Sequence, residues 1–381
     1  MKGVILIHNL IEIPTDWSTR ETPTQELYDH PTPITEEGTL ERLLVSLTKI
    51  DIDGTEILIF PTPLHKEVEK RVSNIVKGYE GDLDIKVFSS SSLTRIRKDI
   101  ENWGFPQDFI EQFKMTGYGC VRNVGLVTGA IMGADNIIFL DDDEIVEDKD
   151  YIKKATEFIG KRRNSKIIGG IAGYYIDENN AYMLEEKTPW WKHLWNKERK
   201  MNEAFRIIES RERLNDTTFA FGGNMVVSSS LFKKVPFDPY IVRGEDMDFV
   251  LNAKHFGYEF LLDNQLKIKH LPPELVSNVA KMRNDIYRFM YQREKLKLYG
   301  IPPSELDPYP GAFLKSDLCA RAFITSTLLG LDALLGRDLS DFFAYMGNAR
   351  SSLGGARKYA KQNADKYLEF QENWAELMSH Y

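Results

Sequence analysis

Short apolar runs of strand length alternate with stretches of helical spacing through the first half of the chain, and that alternation most limits its fold. Val4–Ile7, Glu56–Phe60 (EILIF), Asp84–Phe88 (DIKVF) and Asn136–Leu140 (NIIFL) read as strands. Thr39–Leu47 (TLERLLVSL), Leu64–Val76 and Asn123–Gly133 read as the helices between them. Strands separated by helices imply βαβ units and a mostly parallel sheet. Ligands of such sheets bind beyond the carboxyl ends of the strands, so the residues that follow each strand are the ones to inspect.

Two stretches break the alternation. Pro14–Pro33 is rich in Thr, Pro and Asp without periodicity and reads as a long loop inserted on the ligand side, a lid or a wall of the ligand site or else a surface segment. Thr188–Arg213 opens with Pro189-Trp190-Trp191-Lys192-His193-Leu194-Trp195 and continues as a charged helix. Its three tryptophans suit stacking on a ligand ring, packing on other helices, or a shallow lipid anchor. From about Leu275 onward only helical patterns remain, which divides the chain into a sheet-based domain, 1–273, and a helical region, 274–381.

A length of 381 residues accommodates two or three domains, and 21 Phe with 17 Tyr are enough to bury a large core. Cys120 and Cys319 could form one bridge at most, so a disulfide framework is excluded and a reducing cytosol is expected. A net charge of −8 argues against a protein that lives on nucleic acid, because that affinity rests on Lys and Arg meeting phosphate. It leaves room for a local basic site or a divalent metal that offsets a phosphorylated substrate. Val4–Ile7 is too short for a signal-peptide core. Leu318–Gly336 is apolar but interrupted by Arg321 and Asp332, whereas spanning a bilayer takes about 20 predominantly apolar residues. The expectation is a cytoplasmic protein, free or peripheral to a membrane, with the helical C-terminal region as the place for self-association into a homo-oligomer.

Two constellations carry chemistry. Asp141-Asp142-Asp143-Glu144 follows NIIFL directly. Four successive carboxylates repel one another, and burying them without a cation is costly. A solvated acidic turn is the plain reading; the place after a buried strand favours a Mg²⁺ or Mn²⁺ site, since such cations take one or two carboxylates plus phosphate oxygens. Further on, Phe221-Gly222-Gly223-Asn224 leads into a strand. Phe237-Asp238-Pro239 and Arg243-Gly244-Glu245-Asp246-Met247-Asp248 then open a helix that Gly257 ends, and a strand-like segment delivers His270. An acidic helix start is stabilised by the macrodipole even without catalysis.

Arg122 to Glu144 (RNVGLVTGAIMGADNIIFLDDDE) resembles the helix, strand and DxD of nucleotide-sugar glycosyltransferases with the GT-A fold, family-2-like in type. Gly222 to Phe260 resembles their acceptor segment, and Thr35-Glu36-Glu37 before LERLLVSL resembles the segment that opens their first helix. The likeness spans roughly residues 1–272. It implies a Rossmann-like sheet flanked by helices and a metal-dependent transfer from a nucleotide-sugar donor to a hydroxyl of a small polar molecule, a glycan or a lipid-linked saccharide. Carried onto this chain, it makes Asp141, Asp143 and His270 metal ligands, with Asp141 also reaching toward the ribose. It makes His8, Asn9, Glu36, Arg122, Asn123, Asp141, Asp142, Gly223 and Asn224 donor-binding. It gives Asp246, paired with Glu245, the role of general base in an inverting reaction. The family's Asp after the second strand is replaced here by Phe60-Pro61-Thr62-Pro63, so no nucleobase is assigned. Three alternatives stand: a retaining enzyme of the same fold that makes a glycosylated compatible solute; a nucleotidyltransferase, whose glycine-rich basic signature His8-Asn9-Leu10 lacks; and an inert scaffold, which would have lost the acids that are present.

Overall fold

The computed structural model describes residues 8–19, 31–52, 54–186, 189–272 and 278–381. Its strands are β1 (Asn9–Ser18), β2 (Thr32–Pro33), β3 (Thr55–Thr62), β4 (Ile85–Val87), β5 (Asn136–Phe139), β6 (Glu144–Ile145), β7 (Arg162–Arg163), β8 (Lys166–Ile176), β9 (Leu214–Asp216), β10 (Met225–Ser228) and β11 (Glu259–His270). The sheet runs β4-β3-β1-β5-β10-β8-β11-β6. β4, β3, β1 and β5 are parallel, as are β8 and β11, while β10 is antiparallel to both its neighbours.

Strand alternation sorts the core. Ile11, Ile13, Ile57, Ile59 and Ile138 point to one face, under the Leu40–Leu47 and Lys66–Val76 helices. Leu10, Leu58, Phe60, Ile137 and Phe139 point to the other, against the Tyr118–Met132 helix and the last helix, Lys366–Met378. A third cluster joins the helical C-terminal region to Trp195, Phe205 and Phe219. Helices account for nearly all regular structure from Asn278 to Met378, as the sequence implied.

Val4–Ile7 lies outside the described residues, and the first strand observed is β1, which runs through Pro14 to Ser18. Of the expected loop Pro14–Pro33, residues 14–18 belong to β1 and Thr32–Pro33 to β2, while 20–30 lie outside the described residues. Glu12 hid this strand, because a charged residue among Leu10, Ile11 and Ile13 disrupts the apolar run; in the fold it is fully buried beside Arg122. β3 likewise continues through Pro61, which pairs with Thr15. β8 was not legible at all. Its sequence KIIGGIAGYYI carries three glycines, and each sits where a side chain would collide: a Cβ at Gly170 would lie 2.2 Å from the Phe260 ring, and one at Gly173 2.0 Å from the Leu266 carbonyl oxygen. Trp195 is buried against Phe289 and Phe313, at ring-centroid distances of 5.8 and 5.2 Å, so it packs rather than faces a ligand.

Candidate functional site

Beyond the carboxyl ends of β1 and β5 the acidic turn meets the end of β11. β6 pairs antiparallel with β11 and sets His270 opposite Glu144. The Nε2 of His270 lies 3.3 Å from Asp143 Oδ2. Tyr175, from the end of β8, stacks on the imidazole at 4.5 Å and 16°. Arg42 Nη2 donates to the carbonyls of Asp143 (3.0 Å) and Leu271 (2.9 Å) and ties the two chain segments together.

Arg122 is buried in the Tyr118–Met132 helix, beneath the turn. Its Nη2 donates to Asp141 Oδ1 at 2.6 Å and to the Gly222 carbonyl at 3.2 Å, and Nη1 lies 3.5 Å from Glu12 Oε1. Gly125 makes that burial feasible, since a Cβ there would lie 2.2 Å from Glu12 Oε2. Thr15 donates to Asp142 Oδ2 at 2.6 Å.

Carboxylates outnumber their counter-charges here. Burial, more than Arg122 offsets, pushes Glu12 up to about 8. Asp142 rises to about 7 through burial and the neighbouring Asp143. Burial followed by adjacent carboxylates also raises Asp16 and Glu144 well above the ordinary range. Asp16 Oδ1 and Glu144 Oε1 are buried without a hydrogen-bond partner. Burial works to lower the His270 pKa, but the hydrogen bond and charge of Asp143 outweigh it and the net shift is upward.

A divalent cation fits this chemistry. Cis ligands of an octahedral Mg²⁺ or Mn²⁺ stand about 3 Å apart, which is the spacing of the Asp143 and His270 donors. Among the described residues no three His, Cys, Asp or Glu side chains close on one point. A cation would therefore take Asp143 and His270 and complete its shell from phosphate oxygens and water. Asp141, expected as a third ligand, has Oδ1 held by Arg122.

Across Gly222 lies the second acidic pair. An ideal Cβ at Gly222 would stand 3.7 Å from Arg122 Nη2, 3.7 Å from Glu245 Oε1 and 3.8 Å from Asp246 Cβ, so one glycine separates the two halves of the site. Glu245 and Asp246 start the Glu245–His255 helix, capped by Gly244 at φ +74°. Burial, then Asp246, raises Glu245 to about 8; burial also raises Asp246, whose carboxylate accepts from the Met247 amide at 2.7 Å. Asp248 faces away, toward Lys295 (2.6 Å) and Asn252 (2.8 Å).

These groups line one cleft of about 700 Å³, which brings Asp16, Arg122, Asp141, Asp142, Asp143 and His270 together with Glu245 and Asp246. Several sequence candidates lie outside it. His8 and Asn9 sit at the amino ends of the strands: the His8 amide donates to Asp135, its Nε2 is 3.1 Å from Glu56, and Asn9 accepts from Asn136 at 3.0 Å. The first described strand begins at Asn9, which leaves both residues at its amino end, away from the cleft. The Asn123 amide is consumed in both directions by the Phe237 backbone, 2.9 Å each way. Asn224 is fully buried, donating to the Tyr174 and Leu266 carbonyls and accepting from Tyr151. Glu36 is exposed outside the cleft. Gly223 underlies the site: a Cβ would lie 2.1 Å from Glu144 Oε1 and 2.7 Å from Asp141 Oδ2. Sequence reading missed Glu12, Asp16 and Tyr175; the Pro-Thr-Asp-Trp that ends β1 was the available signal for Asp16.

No protein-family model matches the chain. An uncharacterised glycosyltransferase of Methanocaldococcus jannaschii is 22% identical over 175 residues, 46% of this chain and 54% of that protein, so the chain spans about half the length of the curated relative it matches. The fold is similar to that of a mannosyltransferase from Pyrobaculum calidifontis solved with GDP-mannose and Mn²⁺: TM-score 0.50 at 12% identity, over 97% of this chain and 86% of that one. S. aureus TarS residues 1–349, solved with UDP, aligns over 92% of both chains at TM-score 0.40 and 15% identity.

Proposed function

We propose that the chain is a metal-dependent glycosyltransferase that moves a sugar from a nucleoside-diphosphate donor to a hydroxyl acceptor with inversion. One observation carries the reading: the Asp143–His270 pair and the Glu245–Asp246 pair line a common cleft, where Glu245, Asp246 and the Arg122 that holds Asp141 all approach Gly222. That arrangement is what a displacement at an anomeric carbon between a leaving diphosphate and an incoming hydroxyl requires. The M. jannaschii relative and the Pyrobaculum neighbour support the same class.

Asp143 and His270 would hold the cation. Its positive charge would offset the charge that develops on the departing nucleoside diphosphate. Arg122 fixes Asp141 at the donor side, and Tyr175 holds the plane of the His270 ring. Asp246 takes the proton of the acceptor hydroxyl as its oxygen bonds to the anomeric carbon and the bond from that carbon to the diphosphate breaks. Burial raises the proton affinity of both Glu245 and Asp246, and the charge of Asp246 adds to the rise at Glu245, so the pair is suited to hold a proton taken from the acceptor.

The experiment is thermal stabilisation by a panel of nucleoside diphosphates with and without Mn²⁺. A metal-dependent shift with at least one base is expected; no such shift with any of them would sink the reading. Asp246→Asn is then expected to bind that nucleotide as the parent does while transfer drops by at least 10²-fold. Retained turnover would remove Asp246 as base.

A further inference from the structure

The cleft does not end at Asp246. It continues into a wall of opposite charge formed by Lys197, Arg243, Lys281 and Arg288, with Tyr309 behind them. Lys281, Asp285 and Arg288 are spaced i, i+4, i+7 on the Asn278–Tyr299 helix and so share one face of it. Arg288 is buried, stacks on Phe289 at 4.4 Å and donates to the Tyr309 hydroxyl, while its Nε finds no hydrogen-bond acceptor. It presses under the start of the Glu245–His255 helix: a Cβ at Gly244 would lie 2.5 Å from Arg288 Nη1. The acid tied into this wall is Asp285, 2.6 Å from Lys197 and 3.6 Å from Arg288. Burial raises its pKa, but Lys197, Arg288 and Arg243 together overcome that and hold it below the ordinary carboxylate range. Glu185 also lines the cleft. Asp246 also lies within electrostatic reach of Arg288, so four cations stand against three acids and leave an excess of about one positive charge; Arg and Lys brought to one wall are the groups that bind phosphate.

We infer that this wall is an acceptor subsite for a phosphorylated acceptor, whose phosphate lies against Lys281, Arg243 and Arg288 while its hydroxyl reaches Asp246. The inference rests on the glycosyltransferase reading of the same cleft. The phosphate could be carried by a soluble sugar phosphate or by a prenyl-chain phosphate; both present the same dianion.

The test is calorimetric titration of the full chain, held with Mn²⁺ and whichever nucleoside diphosphate stabilises it, with four probes: mannose 6-phosphate, mannose, farnesyl phosphate and farnesol. At least one phosphorylated probe is expected to bind ten times tighter than its neutral partner, and which one does so identifies the source. Lys281→Glu and Arg243→Gln are expected to abolish that preference while nucleotide affinity and melting temperature stay at parental values; Arg288→Lys, which keeps the charge, should retain most of the preference. Equal binding of phosphorylated and neutral probes would overturn the inference. So would an equal loss of nucleotide affinity in the two charge variants, which would assign the wall to the donor. Absence of any nucleotide binding in the parent chain would instead refute the glycosyltransferase reading.

Discussion

Neighbouring glycines at the centre of the site differ sharply in what they tolerate. A Cβ at Gly222 meets nothing closer than 3.7 Å, whereas one at Gly223 would sit 2.1 Å from Glu144 and 2.7 Å from Asp141. Gly223→Ala is therefore expected to displace the acidic turn and weaken binding of the Mn²⁺–nucleotide pair by tenfold or more, and Gly222→Ala to change it by less than about threefold; equal effects in titration calorimetry would contradict the geometry. Glu12 gives a second test. Its folded pKa of about 8 lies above the ordinary value of 4.5. The folded chain thus keeps a proton that the unfolded chain releases, and stability falls as pH rises between those two values, by about 1.4 kcal/mol per unit where the difference is one full proton. Glu12→Gln removes that loss. Guanidinium titrations at pH 5.5 and 8 should show a shallower pH dependence in the variant, and an unchanged dependence would mean that Glu12 is ionised in the fold. The acids of the two named motifs could be read from sequence because their spacing is local. Glu12, Asp16 and Tyr175 could not, since each matters only through partners far along the chain.

Elements with ordinary composition were legible: the helices at Leu40–Leu47 and Lys66–Val76 and the strand Asn136–Phe139 fall within two residues of their sequence-based bounds. β1 and β8 failed because each carries the residue its site or packing needs, a buried glutamate in one and clash-relieving glycines in the other. The Leu318–Leu335 helix departs differently. It is the one described helix long and apolar enough to cross a membrane. Its buried positions include Ala322, Thr325, Ser326 and Gly330, whereas Phe323, Ile324, Leu331, Leu334 and Leu335 are exposed. The next helix, Leu339–Leu353, repeats the inversion, with Asn348, Ala349 and Ser352 inside and Phe343 and Leu353 outside. Small residues let the two helices pack closely, as a Cβ at Gly330 would meet Met346 at 3.3 Å and Tyr345 at 3.4 Å. Gly330→Leu is expected to cost roughly 1–3 kcal/mol through overpacking, while Leu335→Ser and Phe343→Ser stay within about 0.5 kcal/mol because both side chains are exposed. Thermal denaturation in detergent-free buffer distinguishes them; a large loss from the outward substitutions would show that this face is covered.

The helical C-terminal region is joined to the sheet through its interior. Lys295 is fully buried between Asp238 and Asp248, at 2.5 and 2.6 Å, and over the Tyr367 ring at 3.6 Å. Trp374 donates to the Phe232 carbonyl at 2.8 Å, Tyr367 to that of Pro236 at 3.0 Å, and Phe370, Trp374 and Leu377 fill the same core as Phe109 and Phe113. Arg288 reaches under the Glu245–His255 helix from the same side. Although the sequence divides near residue 273 by pattern, these contacts predict that heat and denaturant unfold both parts in one cooperative transition. Lys295→Met puts this to the test. It leaves Asp238 and Asp248 buried without their cation, a loss of about 3–5 kcal/mol for a broken buried pair. If the two parts are one unit, the melting of the nucleotide site, followed by protection against proteolysis with Mn²⁺ and nucleotide bound, shifts down together with the loss of helical circular dichroism. Separate transitions, with the nucleotide site melting at its parental temperature, would establish two independent domains and would make Lys281 and Arg288 an attachment rather than a part of the catalytic core.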